Sequence, residues 1–71
     1  MKEYLVVFER AGGNYSAYVP DLPGCVTTGK TIEDAEIGIR EAMSLYLDTL
    51  RQDGKPVPEP TTLGQPVSIA A

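Results

Sequence analysis

The sequence contains no histidine, no tryptophan and a single cysteine, Cys25. One thiol cannot form a disulfide within the chain, and one thiol without histidine does not make a zinc site. Catalysis by a nucleophile paired with a histidine base is excluded for the same reason. We interpret Cys25 as a small apolar residue at the start of a strand, because no basic or helix-N-terminal environment is evident to activate its thiol.

Basic side chains are also few, with 6 lysines and arginines against 10 aspartates and glutamates and a formal net charge of −4. Nucleic-acid binding needs clustered lysine and arginine, so we predict no direct nucleic-acid contact and favour a basic protein as partner. The sequence shows neither a signal-peptide pattern nor an apolar run near the roughly 20 residues of a membrane span. With a free thiol in addition, it predicts a cytoplasmic protein without membrane contact.

The glycines match neither the phosphate-loop pattern nor the dinucleotide-binding pattern, so no cofactor is predicted. With 71 residues, of which 42% are hydrophobic, the chain is expected to form one globular domain over residues 1–71. A domain of this size has a net stability of only roughly 3–5 kcal/mol and commonly needs a disulfide, a metal or a partner surface. Because the first two are excluded, we predict a homo-oligomer.

The most constrained stretch of the sequence is a tight turn. Two prolines interrupt any central strand there, because each lacks a backbone donor. Proline followed by glycine at the two central positions is typical of a type II turn. We expect the aspartate to accept hydrogen bonds from backbone donors just after it, as in an Asx turn. The residues of this structural turn are Pro20, Asp21, Leu22, Pro23 and Gly24.

Three strands are predicted around this turn, at residues 2–10, 15–19 and 25–28, with residues 11–14 forming a hairpin turn between the first two. The first strand is apolar on both faces. A strand of this kind is normally covered on both faces, by a helix on one and by a second layer or another subunit on the other.

A long helix is predicted over residues 32–52, with the Thr31 hydroxyl as N-cap and acidic residues in the first turn. Its apolar residues recur at spacings of three and four, which form one stripe that covers the sheet. Ile37, Leu45 and Leu47 lie partly off this stripe. They belong either to a wide buried face with single exposed apolar residues or to a surface that contacts another chain.

Three alternating prolines make residues 55–60 an extended connector after the helix. Residues 65–70 are expected to form a short last strand with Val67 and Ile69 on one face, which pairs either beside the sheet or with another subunit. Together with Ile37 and Leu45, these two residues are our candidates for a partner or oligomer surface. The predicted order is β-β-β-α-β, an α+β fold with one long helix on a face of an antiparallel sheet.

Carboxylates are the only candidates left for catalysis. Glu33, Asp34 and Glu36 lie where a helix dipole favours acidic residues, and Asp21 is explained by its turn. A hydrolase that uses two metal ions needs several carboxylates that converge on ions about 4 Å apart. No motif indicates this arrangement, so we predict no catalytic residues, no metal site and a protein that is not an enzyme.

With these features the chain resembles the N-terminal domain of HicB antitoxins. The resemblance covers nearly the whole chain, and the run from Pro20 to Cys25 ahead of a threonine-capped helix is specific. The matching residues are Gly13-x-Tyr15-x-Ala17-x-x-Pro20-Asp21-Leu22-Pro23-Gly24-Cys25-x-Thr27-x-Gly29-x-Thr31, Glu33-x-Ala35, Glu41-Ala42 and Asp53-Gly54-x-Pro56-x-Pro58-x-Pro60.

The resemblance implies a truncated ribonuclease-H-like fold and an antitoxin that binds HicA, a small basic toxin that cleaves messenger RNA, and blocks its active site. It also implies dimers or tetramers. Most HicB proteins continue into a DNA-binding domain, whereas we expect none in this chain and predict no operator binding. Two alternatives remain: a residual metal-dependent ribonuclease that uses Glu9, Asp21 and an acid from the helix start, and a solitary oligomeric scaffold without a toxin.

Overall fold

The computed structural model describes all residues from Met1 to Ala71. Three strands and one helix follow each other as β1 (Val7–Ala11), β2 (Asn14–Tyr18), β3 (Val26–Gly29) and α1 (Ile32–Gln52). The strands form one antiparallel sheet in the order β1-β2-β3. This is the α+β arrangement that the sequence predicts, and α1 coincides with the predicted helix.

The ladder of β1 is shorter than predicted. Pairing with β2 begins at Val7, opposite Tyr18, so residues 2–6 are extended but lie outside the sheet. In the same register, Tyr4 and Leu5 would have to pair with Asp21 and Pro20 of the turn. A proline there has no N–H to donate, and the turn bends the chain away, so the ladder ends at Tyr18.

Backbone geometry shows the predicted turn. The Cys25 N–H donates to the Leu22 carbonyl at 3.0 Å, and Gly24 has φ of 85°, as the third residue of a type II turn requires. A further bond from the Val19 N–H to the Cys25 carbonyl closes the loop. Leu22 is thereby directed into the core, where it is 0% exposed.

The helix starts as expected, with the Asp34 N–H donating to the Thr31 hydroxyl at 3.0 Å. Helix α1 packs mainly over β3 and less over β2. The approach to β3 is close, because a Cβ at Gly29 would lie 2.5 Å from the Ala35 nitrogen. Glycine at position 29 therefore sets the distance between the helix start and the sheet.

The core consists of six buried residues from the sheet, the turn and the helix. They are Ala17, Val19, Leu22, Cys25, Ala35 and Ile39. Partly buried side chains of β1 and of the segment before it, among them Tyr4, Val6 and Phe8, pack against this core from the side that the helix covers. Such a core is small, in agreement with the limit set by chain length.

The other side of the sheet has no covering layer. Side chains alternate between the two sides along a strand, and residues paired across strands point to the same side. The strand residues that alternate with the helix-facing ones therefore belong to this second side. We call it the open face. It consists of Val7, Glu9, Ser16, Tyr18, Val26 and Thr28. Leu5, two residues before Val7, adjoins this face although it lies outside the ladder.

After the helix, the chain runs round the end of the sheet. The Tyr4 hydroxyl donates to the Pro58 carbonyl at 2.6 Å on the helix side, and Lys2 pairs with Glu59 at 2.8 Å. Further on, Gly64 lies against the Leu5 side chain, which adjoins the open face. The connector therefore passes from the helix side of the sheet to its open face.

The last strand predicted at residues 65–70 does not pair beside the sheet of its own chain. Residues 63–71 make no ladder with any strand and are exposed. The connector carries this segment past the end of the sheet, so it does not lie beside an unpaired strand edge of its own chain. We call residues 63–71 the arm.

We expect Leu22→Ala to lower the free energy of unfolding by about 2–5 kcal/mol, because truncation leaves a cavity at the centre of the core. The measurement is urea denaturation followed by circular dichroism. Leu45→Ala is the matched control, since Leu45 is 69% exposed and its truncation should change stability by less than about 0.5 kcal/mol. Equal losses in the two variants would contradict the central position of Leu22.

Candidate functional site

The solvent side of helix α1 is acidic around an exposed isoleucine. Glu33, Ile37 and Glu41 are spaced by four residues and lie in one row, with Asp34 beside them. Ile37 is 60% exposed although it is fully apolar. We call these four residues the helix outer face.

The carboxylates of the helix outer face have no partners within the chain. Elsewhere on the helix, Glu36 pairs with Arg40 at 3.2 Å and Asp48 with Arg51 at 3.1 Å. Glu33, Asp34 and Glu41 take part in none of the ion pairs of the chain. Their negative charge is therefore available to a cationic partner, with Ile37 as an apolar centre that such a partner can desolvate.

The other candidates for a partner surface lie elsewhere. Leu45 lines a shallow groove between the helix and the start of β3, together with Val26 and Tyr46. Val67 and Ile69 are 78% and 86% exposed on the arm. The structure thus distributes the four predicted residues over three surfaces and does not bring them together. Leu47, which like Ile37 and Leu45 lies partly off the apolar stripe of the helix, packs against the core.

Cys25 is buried next to the turn. It is 3% exposed, and burial raises the pKa of its thiol. A raised pKa reduces the fraction of thiolate, which is the nucleophilic form. The position therefore fits the interpretation of Cys25 as a core residue.

Asp21 does not form the expected Asx turn. Its Oδ2 atom accepts from the backbone N–H groups of Thr61 and Thr62 at 2.9 and 3.0 Å. Its Oδ1 atom accepts from the two threonine hydroxyls at 3.1 and 2.8 Å. We call these four bonds the Asp21 clasp. These four well-placed donors, from the two threonines that follow the connector, saturate the carboxylate, so the local donors after Asp21 are not used.

Sequence reasoning missed the clasp because its partners are 40 residues apart and share no periodic pattern. The available signal was weak: two adjacent threonines follow the last proline of the connector, where an extended chain presents its N–H groups to a side chain. Pro60 and Thr61 by themselves predict only an extended segment.

The clasp shifts the ionisation of Asp21. Hydrogen bonds from the Thr62 N–H and hydroxyl hold the pKa of this carboxyl below its ordinary value of 3.8 and outweigh the opposing effect of desolvation. The two bonds from Thr61 lower the pKa further, each by less than desolvation raises it. Because the folded pKa is lower than the unfolded one, ionised Asp21 stabilises the fold above pH 3.8. That contribution is lost as the pH falls through the folded pKa.

The carboxylates of the nuclease alternative are dispersed. Glu9 lies on the open face, Asp21 is engaged in the clasp, and the acids of the helix start point to solvent. No group of three aspartate, glutamate, cysteine or histidine side chains is close enough to hold a metal ion. The geometry gives no support to a shared ion bound by these three positions.

The helix does not combine the length and the apolar character that crossing a membrane requires.

Comparison with known sequences identifies one family. The sequence model described as "HicB_like antitoxin of bacterial toxin-antitoxin system" matches residues 4–69. A UPF0150 protein of Synechocystis is 39% identical over 67 residues, which span 93% of this chain and 85% of that protein. "Antitoxin HicB 2" of Photorhabdus laumondii is 33% identical over 73 aligned positions, gaps included, which cover 96% of this chain and 52% of that protein.

A solved structure resembles the fold. The crystal structure of the N-terminal domain of Burkholderia pseudomallei antitoxin HicB superposes with a TM-score of 0.71 and 34% identity. The match covers 80% of this chain and 69% of the other. This similarity extends to the arrangement of the three strands and the helix.

We expect Asp21→Asn to lower the melting temperature near neutral pH, because the amide has one acceptor oxygen where the clasp uses two. The difference from the wild type should shrink as the pH falls from 3.8 through the lower pKa of folded Asp21. It should be smallest below that pKa, where the folded wild-type carboxylate is protonated as well. Thermal unfolding followed by circular dichroism over a pH series measures this.

Glu41→Gln is the matched control, because Glu41 is exposed and forms no hydrogen bond or ion pair with the rest of the chain. Its melting temperature should follow that of the wild type at each pH. A difference between Asp21→Asn and the wild type that stayed constant into acid would show that ionisation of Asp21 does not stabilise the fold.

Proposed function

The chain belongs to the HicB-like antitoxin family of bacterial toxin–antitoxin systems, and from this membership we propose that it binds and neutralises a HicA-type toxin that cleaves messenger RNA. Neutralisation occurs by covering the active site of the toxin, without a chemical step. The observation that carries the proposal is the match over residues 4–69, which includes the sheet, the helix and the connector. Because the toxin acts on messenger RNA, we place this function in the cytoplasm.

We assign toxin binding to the helix outer face. A HicA-type toxin is basic, and the net charge of this chain is −4. Opposite potentials raise the rate of association and select the partner more than they raise affinity. Ile37 at the centre supplies an apolar contact that is excluded from water in the complex, which is the arrangement found at binding hot spots.

The proposal includes self-association into a dimer or tetramer and a fold of truncated ribonuclease-H type. A core of six buried residues supports the first part, because small domains commonly gain stability from a partner surface. The order of three antiparallel strands followed by one helix supports the second.

We expect the purified chain to form a complex with the toxin encoded beside it, a short basic protein with histidine, and to preserve RNA that the toxin otherwise degrades. Size-exclusion chromatography and an RNA-integrity assay measure the two effects. Absence of a complex at micromolar concentration would contradict the antitoxin role.

Charge reversal tests the assigned surface. Glu33→Lys combined with Glu41→Lys should lower the association rate about tenfold at low salt and remove most of its salt dependence. Asp53→Lys is the control, with the same change of charge per site at the C-terminal end of the helix. Stopped-flow or surface-plasmon measurements give the rates. If Asp53→Lys slowed binding as much as the double variant, the contact would not be specific to the helix outer face.

A further inference from the structure

The open face of the sheet carries an apolar row that crosses all three strands. Val7 is opposite Tyr18, and Tyr18 is opposite Val26, so their side chains are neighbours on one side of the sheet. Tyr18 is exposed, and Val26 is 63% exposed. Leu5 continues this surface towards the root of the arm, where Gly64 touches it. We call Val7, Tyr18 and Val26 the apolar row.

The surface area of the isolated chain is larger than its mass predicts. The chain exposes 5532 Å², whereas a compact monomer of 7.6 kDa exposes about 4300 Å². The radius of gyration is 13.8 Å, against about 11 Å for a compact domain of this length. The excess of roughly 1200 Å² exceeds the about 800 Å² that each partner buries in a standard protein–protein interface.

The arm accounts for part of this excess. Leu63, Val67 and Ile69 are 94%, 78% and 86% exposed and occur at odd-numbered positions, so in an extended segment they lie on one side. The Asp21 clasp holds residues 61 and 62, immediately before the arm, at the end of the sheet. The arm therefore starts next to the open face with its direction fixed, but its apolar side chains have no contact surface in their own chain.

Charge favours a second copy over a basic toxin as the occupant of the open face. The apolar row contains no ionisable carboxylate or amine, whereas the helix outer face on the other side of the molecule carries three unpaired carboxylates. The row itself can therefore meet its copy across a two-fold axis without charge repulsion. Glu9 also lies on the open face, but it is opposite Ser16, two residues along β1 from Val7 and outside the row. A cationic protein gains nothing electrostatic there.

We propose that a second copy of this chain covers the open face, with the two apolar rows packed across a two-fold axis and each arm lying on the other copy. Two sheets stacked in this way are separated by about 10 Å, the thickness that one layer of side chains from each sheet fills. Leu63, Val67 and Ile69 then bury their apolar side against the partner. The inference specifies the self-association proposed above and is independent of toxin binding.

Sedimentation velocity over a concentration series tests the interface. We expect the wild type to dimerise at micromolar concentration and Val26→Lys to raise the dimer dissociation constant at least about tenfold, because two lysines would then meet near the axis. Ile37→Lys is the matched control, since Ile37 has nearly the same exposure as Val26 and lies on the helix outer face. It should leave the dimer intact and weaken only toxin binding.

Val67→Asp combined with Ile69→Asp tests the arm and should also weaken the dimer, by about tenfold. Circular dichroism establishes that each variant is folded, and all the substituted side chains are exposed. A wild type that stayed monomeric up to millimolar concentration would overturn self-association altogether. If the wild type dimerised and Val26→Lys had the same dimer dissociation constant, only the open face as interface would be overturned. If the arm variant had the same dimer dissociation constant as the wild type, the role of the arm would be overturned.

Discussion

The turn between Val19 and Cys25 connects the parts of this molecule that are far apart in sequence. Its type II geometry directs Leu22 into the core, between the sheet and the helix. The same turn presents the Asp21 carboxylate outward, where it receives four hydrogen bonds from Thr61 and Thr62. One short segment thus stabilises the interior and determines where the connector runs. Without it, neither the end of the sheet nor the root of the arm would have a fixed position.

A single helix can cover only one side of a three-stranded sheet. Here it covers the side that holds Ala17 and Val19 and leaves the apolar row to solvent. The exposed surface of the helix around Ile37 is acidic, with Glu33, Asp34 and Glu41 beside it. The fold therefore presents two surfaces of different chemistry on opposite sides, one charged and one apolar. The charged surface suits a basic partner, and the apolar surface suits a copy of the same chain.

Local patterns predicted those parts of the fold that depend on local interactions. The helix was predictable because its apolar spacing, its Thr31 cap and its glycine after Asp53 all agree. The turn was predictable because proline followed by glycine restricts the backbone to few conformations. The sequence also indicated an apolar second face on the first strand.

Long-range contacts could not be predicted in the same way. The clasp depends on where the proline-spaced connector returns, and no periodicity in residues 55–62 encodes that path. The extent of β1 was overestimated because residues 2–6 have the composition of a strand while their would-be partners lie in a turn. The last strand does not pair within its own chain for a related reason: Val67 and Ile69 alternate as strand residues do, but alternation does not supply a neighbouring edge. Its pairing with another subunit stays a prediction. For the candidate site, spacing placed Ile37, Leu45 and Leu47 alike partly off the apolar stripe of the helix. Only the packing of the helix separated the exposed Ile37 and Leu45 from Leu47, which packs against the core.

The position of the two surfaces determines whether self-association and toxin binding compete. If two copies pack through the apolar row, both helices face away from the two-fold axis, and the helix outer face of each copy stays open. Each protomer can then bind one toxin, and the dimer brings two acidic faces into one particle without placing their carboxylates against each other. The arm also leaves the helix outer face open, because the clasp holds the start of the arm beside the open face and away from Ile37. In a chain of 71 residues, dimerisation can thus supply the stability that the small core lacks without using the helix outer face, to which we assign toxin binding.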